Sequence, residues 1–112
     1  MPEGLEISTD ETARALAEGS AQIVDVREPY EREAGYVEGS EHIELQRLAG
    51  AAQSLDPERR VIFYCRVGAR SLMAAQAFRR AGYDAYSLAG GLQAWHDAGL
   101  PLDPPGAGVA DH

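Results

Sequence analysis

Val61-Ile62-Phe63-Tyr64-Cys65-Arg66-Val67-Gly68-Ala69-Arg70-Ser71 joins an apolar run to a helical pattern through the chain's single cysteine. Val61 to Tyr64 is β-branched, aromatic and apolar on both faces, which is how a central parallel strand reads. Beyond the loop, Ala74, Ala77, Phe78 and Ala81 recur at helical spacing, the stripe of an amphipathic helix. Gly82 marks the end of that helix. Cys65 therefore stands at a strand-to-helix turn with Arg66 and Arg70 beside it. Helix N-termini and cations both favour the thiolate, the nucleophilic form of the side chain. The turn points to nucleophilic sulfur chemistry on an anionic substrate.

Outward from this turn, strands and helices alternate. Leu5-Glu6-Ile7 reads as a short edge strand. Ser8 and Glu11 have capping-box spacing, and Ala13, Leu16 and Ala17 follow on a helix that Gly19 ends. Ile23 to Val26 is a buried strand broken by Glu28-Pro29, and Tyr30 to Ala34 forms one helical turn. Glu41 to Leu45 is a weak strand, and Leu45 to Leu55 a helix interrupted by Gly50. Ala85 to Leu88 is a strand, and Gly90-Gly91 leads into a helix through Trp95 to Ala98 that Gly99 stops. Such alternation predicts an α/β fold, a parallel sheet with helices on both faces. Ligands bind such sheets at the carboxyl ends of strands, where Cys65 lies.

Composition narrows the function classes. The 112 residues fit one domain, taken as residues 1–103, with a Pro- and Gly-rich tail over 104–112 expected to be flexible. A net charge of -8 argues against a nucleic-acid or anionic-membrane partner. All ten cations are arginine, which excludes lysine Schiff-base chemistry. One cysteine forms no internal disulfide and suits a reducing cytoplasm. Met1-Pro2-Glu3-Gly4 does not begin a signal peptide, and no apolar run reaches membrane-spanning length. With one cysteine and three scattered histidines there is no zinc spacing.

Three segments together resemble the single-domain rhodaneses, a sulfurtransferase family. Asp25-Val26-Arg27-Glu28-Pro29-Tyr30-Glu31, continuing to Gly35 and Gly39, is similar to the family's first signature. Cys65 to Ser71 is similar to its active-site loop. Leu88-Ala89-Gly90-Gly91-Leu92-Gln93-Ala94-Trp95, through Pro101, is similar to its C-terminal signature. The likeness spans about residues 5 to 102. It implies a five-stranded parallel sheet flanked by helices and a persulfide carried on Cys65. The donor would be thiosulfate or a similar small sulfur anion. The acceptor would be cyanide, a low-molecular-weight thiol or a thioredoxin-like protein, and no cofactor is needed. The rival reading is a relay module that carries the persulfide to one specific protein partner. Tyr36 stands where the family usually has histidine, and Glu38 and Glu44 where it has proline.

The loop residues suit that chemistry. Amides from Cys65 to Arg70 can curl into an anion-binding nest at a helix start, and Gly68 permits the tight bend. Val67 and Ala69 contribute backbone to that nest. Arg66 and Arg70 are candidate ligands for sulfonate-like oxygens, although Arg66 can equally face solvent. Ser71 can donate its hydroxyl inward. The six residues from Cys65 to Arg70 make a tighter ring than the longer loop of related phosphatases, which favours sulfur transfer. Asp25 and Arg27 read as architecture, with Arg27 expected to pair with Glu31 or Glu33. Trp95 should pack the last helix, His42 and His96 carry no metal pattern, and Tyr30 and Glu31 are candidates for the site mouth.

Overall fold

The computed structural model describes residues 4–111; Met1–Glu3 of the expected N-terminus and His112 of the tail lie outside them. Five parallel strands form one sheet: β1 (Glu6–Ile7), β2 (Ala21–Asp25), β3 (Glu41–His42), β4 (Arg60–Tyr64) and β5 (Ala85–Leu88), in the order β1-β5-β4-β2-β3. The helices are α1 (Thr9–Glu18), α2 (Pro29–Ala34), α3 (Leu48–Ala51), α4 (Ala69–Arg80) and α5 (Gly91–Asp97).

The sheet separates two cores, and β4 feeds both. Val61, Phe63 and Cys65 pack with Leu48, Ala74, Ala75 and Phe78 of α3 and α4. Ile62 and Tyr64 face the other way, toward Ala15, Leu92 and Trp95 of α1 and α5. Val61 to Tyr64 are therefore buried on both sides, which is why the run shows no polar alternation. Trp95 anchors α5, donating from Nε1 to the carbonyl of Pro101 at 2.9 Å.

Local signals explain the ends. Ser8 Oγ accepts from the Glu11 amide at 3.1 Å, and Gly19 closes α1 in the left-handed region. Pro29 starts α2, where Glu28 and Glu31 complete a capping box. Four expectations need correction. The buried face of α4 is Ser71, Ala74, Ala75 and Phe78, rotated from the expected stripe because the first turn commits Ser71 inward; Ala77 and Ala81 instead line an apolar groove against Leu48 and Ala52. On α1 Ala13 and Leu16 pack partly buried against the core as expected, but the fully buried residues are Thr12 and Ala15, and Ala17 is exposed. The helix expected over 45–55 is a single turn of α3 between 3-10 turns at Leu45–Arg47 and Ala52–Ser54, with Gly50 inside α3. The strand expected to reach Leu45 stops at His42.

Residues beyond Pro104, marked as flexible by composition, run back toward the sheet. Tyr36 and Asp103 form an antiparallel bridge, and Ala107 and Val109 rest on the core beside α5.

Candidate active site

Cys65 follows β4 directly, at the carboxyl edge of the sheet, and is buried. Its Sγ accepts from the Gly68 amide at 3.1 Å and the Ser71 amide at 3.4 Å, and the Ser71 hydroxyl lies 3.5 Å away. The helix start accounts for this geometry. The first intrahelical bond of α4 runs from the Leu72 amide to the Gly68 carbonyl at 2.9 Å, so earlier amides have no helical acceptor. Two of them converge on the sulfur. Gly68 caps the helix at a φ of 119°, a backbone that side-chain-bearing residues rarely adopt.

Below the sulfur, Ser71 Oγ lies 3.2 Å from the Gly68 carbonyl oxygen and 2.7 Å from Ser87 Oγ on β5. Both serines are fully buried. Above it, a cavity of about 200 Å³ is lined by Cys65, Arg66, Val67, Ala69 and Arg70. This small hollow lies over the sulfur, whereas a larger one of about 490 Å³ between α3 and α4 is apolar and lacks Cys65.

The two loop arginines have different surroundings. Arg70 donates to both carboxylate oxygens of Glu31, at 2.8 and 3.0 Å. Glu31 is buried, which pushes its carboxyl up. The bonds from Arg70 and the bond tied to Glu28, together with the positive charge of Arg70 and Arg27, outweigh burial and leave it below its ordinary range. The same hydrogen bonds hold Arg70 above its ordinary value against partial desolvation. Arg66 is more open, and its Nη2 lies 3.4 Å from Asp111.

The third segment pins the loop from beneath. The Leu92 amide donates to the Cys65 carbonyl at 2.8 Å and the Gln93 amide to the Arg66 carbonyl at 3.0 Å. A Cβ on Gly91 would come within 2.5 Å of the Arg66 carbonyl oxygen. Only glycine lets α5 approach the loop this closely. Gly91 thus serves the cysteine loop although it lies on a different element.

A family profile described as Rhodanese-like domain matches residues 8–98, covering all three of these segments up to the end of α5. The chain belongs to the rhodanese-like family. A thiosulfate sulfurtransferase GlpE of Pseudomonas aeruginosa is 37% identical over 94 residues, 83% of this chain and 84% of the relative. A rhodanese-related protein from Thermoplasma volcanium superposes with a TM-score of 0.80 at 25% identity, covering 87% of this chain and 95% of that one. A rhodanese-like domain protein from Staphylococcus aureus gives 0.76 at 27% identity, over 95% and 98%.

Within this rhodanese-like chain, the first segment is built differently from expectation. Arg27 pairs with Asp25, not with Glu31 or Glu33. Its Nε and Nη2 donate to the two carboxylate oxygens at 2.8 Å each, and its amide donates to Oδ1 at 3.0 Å. Both residues are fully buried. Leaving the end of an extended strand, residues two apart share a face, and that spacing was the signal available. Burial alone would lower the Arg27 value, but Asp25 more than compensates and the net shift is upward. Glu31 is thereby left for Arg70. The positions that depart from the family pattern are also accounted for locally. Tyr36 donates to Asp103 at 3.2 Å beneath the Arg32 guanidinium, Glu38 is exposed, and Glu44 pairs with Arg47 at 3.6 Å.

Ser87 escapes the sequence reading, and Glu31 is named there without its partner Arg70. Ser87 is one hydroxyl inside an apolar strand, and nothing nearby in sequence marks it. Glu31 was assigned to the mouth, but its bond with Arg70 spans 39 positions.

Proposed function

We propose that this chain is a sulfurtransferase in which Cys65 carries a persulfide, with thiosulfate or a similar sulfur anion as donor. The observation that carries the reading is Sγ held 3.1 and 3.4 Å from two helix-start amides beneath a small cavity. These donors are hydrogen-bond partners for negative charge on the sulfur. The thiolate attacks the outer sulfur of thiosulfate. The thiosulfate S–S bond breaks, sulfite leaves with the bonding pair, and a persulfide remains on Cys65. A thiophilic acceptor then attacks the outer persulfide sulfur and Cys65 departs as thiolate. Cyanide leaves as thiocyanate by this route, and a thiol as its own persulfide. The Ala69 and Arg70 amides, without helical acceptors, and the Arg66 guanidinium are the donors for the sulfonate oxygens. Arg70, already held by Glu31, shapes the rim. Such a lone catalytic thiol would work in a reducing compartment such as the cytoplasm.

A protein acceptor has its own supporting observation. The exposed large apolar side chains among the described residues are Tyr30, Val67 and Met73. Val67 belongs to the loop, Met73 follows Arg70 by one helical turn, and Tyr30 adjoins Glu31. An acceptor protein presenting a thiol at the cavity would meet Val67 on its lining, with Met73 on the neighbouring apolar groove between α3 and α4.

Intact mass after thiosulfate, then after cyanide, tests the proposal. The expected result is gain of one sulfur and its release as thiocyanate. Cys65→Ser should lose both steps completely while unfolding as the wild type does. A Ser variant that still forms thiocyanate would overturn the mechanism.

A further inference from the structure

Ser87 has one hydrogen-bond partner for its side chain among the described residues, Ser71 Oγ at 2.7 Å, and it is fully buried. A buried hydroxyl that only accepted would leave its own proton unpaired, which is costly. Ser87 therefore donates, and Ser71 Oγ accepts. The Ser71 proton is then free for one of two acceptors, the Gly68 carbonyl at 3.2 Å or Cys65 Sγ at 3.5 Å. The Gly68 carbonyl already accepts from the Leu72 amide at 2.9 Å, so it is not orphaned when Ser71 turns away. An anionic sulfur is the stronger acceptor, because charge-assisted bonds are about twice as strong as neutral ones. Donation along Ser87, Ser71 and sulfur also reinforces itself in a dry interior.

We propose that Ser87 is a positioning residue for sulfur transfer. By donating to Ser71 it directs the Ser71 hydroxyl at Cys65 Sγ whenever negative charge lies on that atom. The proposal rests on the sulfurtransferase reading. It bears most on discharge of the persulfide. When the acceptor attacks the outer sulfur, the S–S bond breaks and its electron pair returns to Sγ. Donors aimed at that developing charge lower the barrier, and a stabilised leaving thiolate departs faster. Loading runs the opposite way, since charge leaves Sγ, and should change less.

The test is single-turnover discharge of persulfidated protein by cyanide. Ser87→Ala should slow discharge by roughly three- to tenfold, the worth of one net hydrogen bond, in protein that is somewhat less stable but still fully folded at the assay temperature. In a Ser71→Ala background the same substitution should have no further effect, because Ser87 acts only through Ser71. Wild-type discharge in Ser87→Ala, or independent multiplication of the two effects, would overturn the proposal. Thr and Val at position 87 have one shape and differ in the hydroxyl. Ser87→Thr should keep the rate and Ser87→Val should lose it, and equal rates in that pair would also count against it. Alkylation of Cys65 by iodoacetamide needs no sulfur donor. If the wild type takes no sulfur from thiosulfate, the functional reading fails. The alkylation rates of the same four backgrounds still report whether Ser87 acts on Sγ through Ser71.

Discussion

Two buried polar clusters sit side by side at the carboxyl edge of the sheet, and they spend their hydrogen bonds differently. At the end of β2, Asp25 is closed by Arg27 and reached by Arg32 at 3.4 Å. Beside it, Ser40 donates to the Val37 carbonyl at 2.6 Å, so the Tyr64 hydroxyl donates to Ser40 at 3.0 Å and accepts from the Val37 amide at 3.0 Å. Charge meets charge, and each proton in the Tyr64–Ser40 chain has an acceptor. At the end of β4, the sulfur faces dipoles: two amides and a hydroxyl. The loop cation Arg70 is engaged by Glu31. The first cluster satisfies its carboxylate and its hydroxyls without a ligand and leaves one buried donor, Arg27 Nη1, unpaired among the described residues. The second retains donors and a cavity. In sequence Asp25 and Arg27 read as architecture, and their mutual pairing fits that reading. Paired buried charges hold the frame, while the site is made largely of backbone.

The largest effect should come from breaking the closed cluster. Asp25→Ala leaves the Arg27 guanidinium buried without its counter-charge, and its amide without an acceptor. Loss of one partner of a buried pair costs about 3–5 kcal/mol, a large share of the stability of a domain this size. Urea unfolding should show the midpoint collapse, with persulfide formation surviving only in the fraction that stays folded. A variant near wild-type stability would mean that the Asp25–Arg27 pair is not the frame we take it to be.

How far each cluster was legible in sequence follows from how local its contacts are. The strand Val61–Tyr64 announced itself because burial on both faces removes polar alternation. The cysteine turn was legible because strand, glycine and helix start are contiguous, and the amides that reach Sγ come from three and six residues on. Arg27 pairs with Asp25 because the chain there is still leaving a strand, where residues two apart share a face. The α4 stripe was rotated because alanine satisfies either face, and Ser71, not alanine, sets the register. Glu31–Arg70 and Ser71–Ser87 were illegible for a different reason: each joins two elements that only the closed sheet brings together. The two-residue strands β1 and β3 carry too few side chains for a period, and their pairing to β5 and β2 defines them.

The Arg70–Glu31 pair lies between the two clusters, and an intermediate effect should follow from breaking it. Glu31→Gln removes the carboxylate and keeps the shape. Hydrogen bonds to charged groups contribute about 1.5–3 kcal/mol, and the partly exposed Arg70 end places the loss near the lower figure. Because the folded carboxyl lies below its ordinary 4.5, its contribution is present above that pH and lost as pH falls through the folded value. Wild-type stability should therefore decline on acidification in this range, and the decline should be smaller in Glu31→Gln. At the site the sign is opposite. Arg70 freed from its carboxylate makes the rim more positive, so KM for thiosulfate should fall. A raised KM would place the pair among the frame contacts.

The smallest effect belongs to the last member of the closed cluster. Tyr64 is held protonated: burial first, then the Asp25 carboxylate, push its hydroxyl from an ordinary 10.0 up to about 12, against the opposing bond from the Val37 amide and the charge of Arg27. A raised folded value means that this group's stabilisation is complete below 10.0 and is lost as pH rises toward 12. Tyr64→Phe should cost about 1 kcal/mol at neutral pH, since the buried Val37 amide and the Ser40 hydroxyl lose a partner. In exchange, the variant should lose less stability than the wild type between neutral and strongly alkaline pH. Denaturant titrations across that interval, compared between the two proteins, read the difference directly because their remaining tyrosines are the same. Parallel alkaline curves would mean that Tyr64 releases its proton as easily in the folded chain as in the unfolded one. The closed cluster would then be open to solvent on the Tyr64 side, and the contrast with the sulfur site would narrow to the Asp25–Arg27 pair alone.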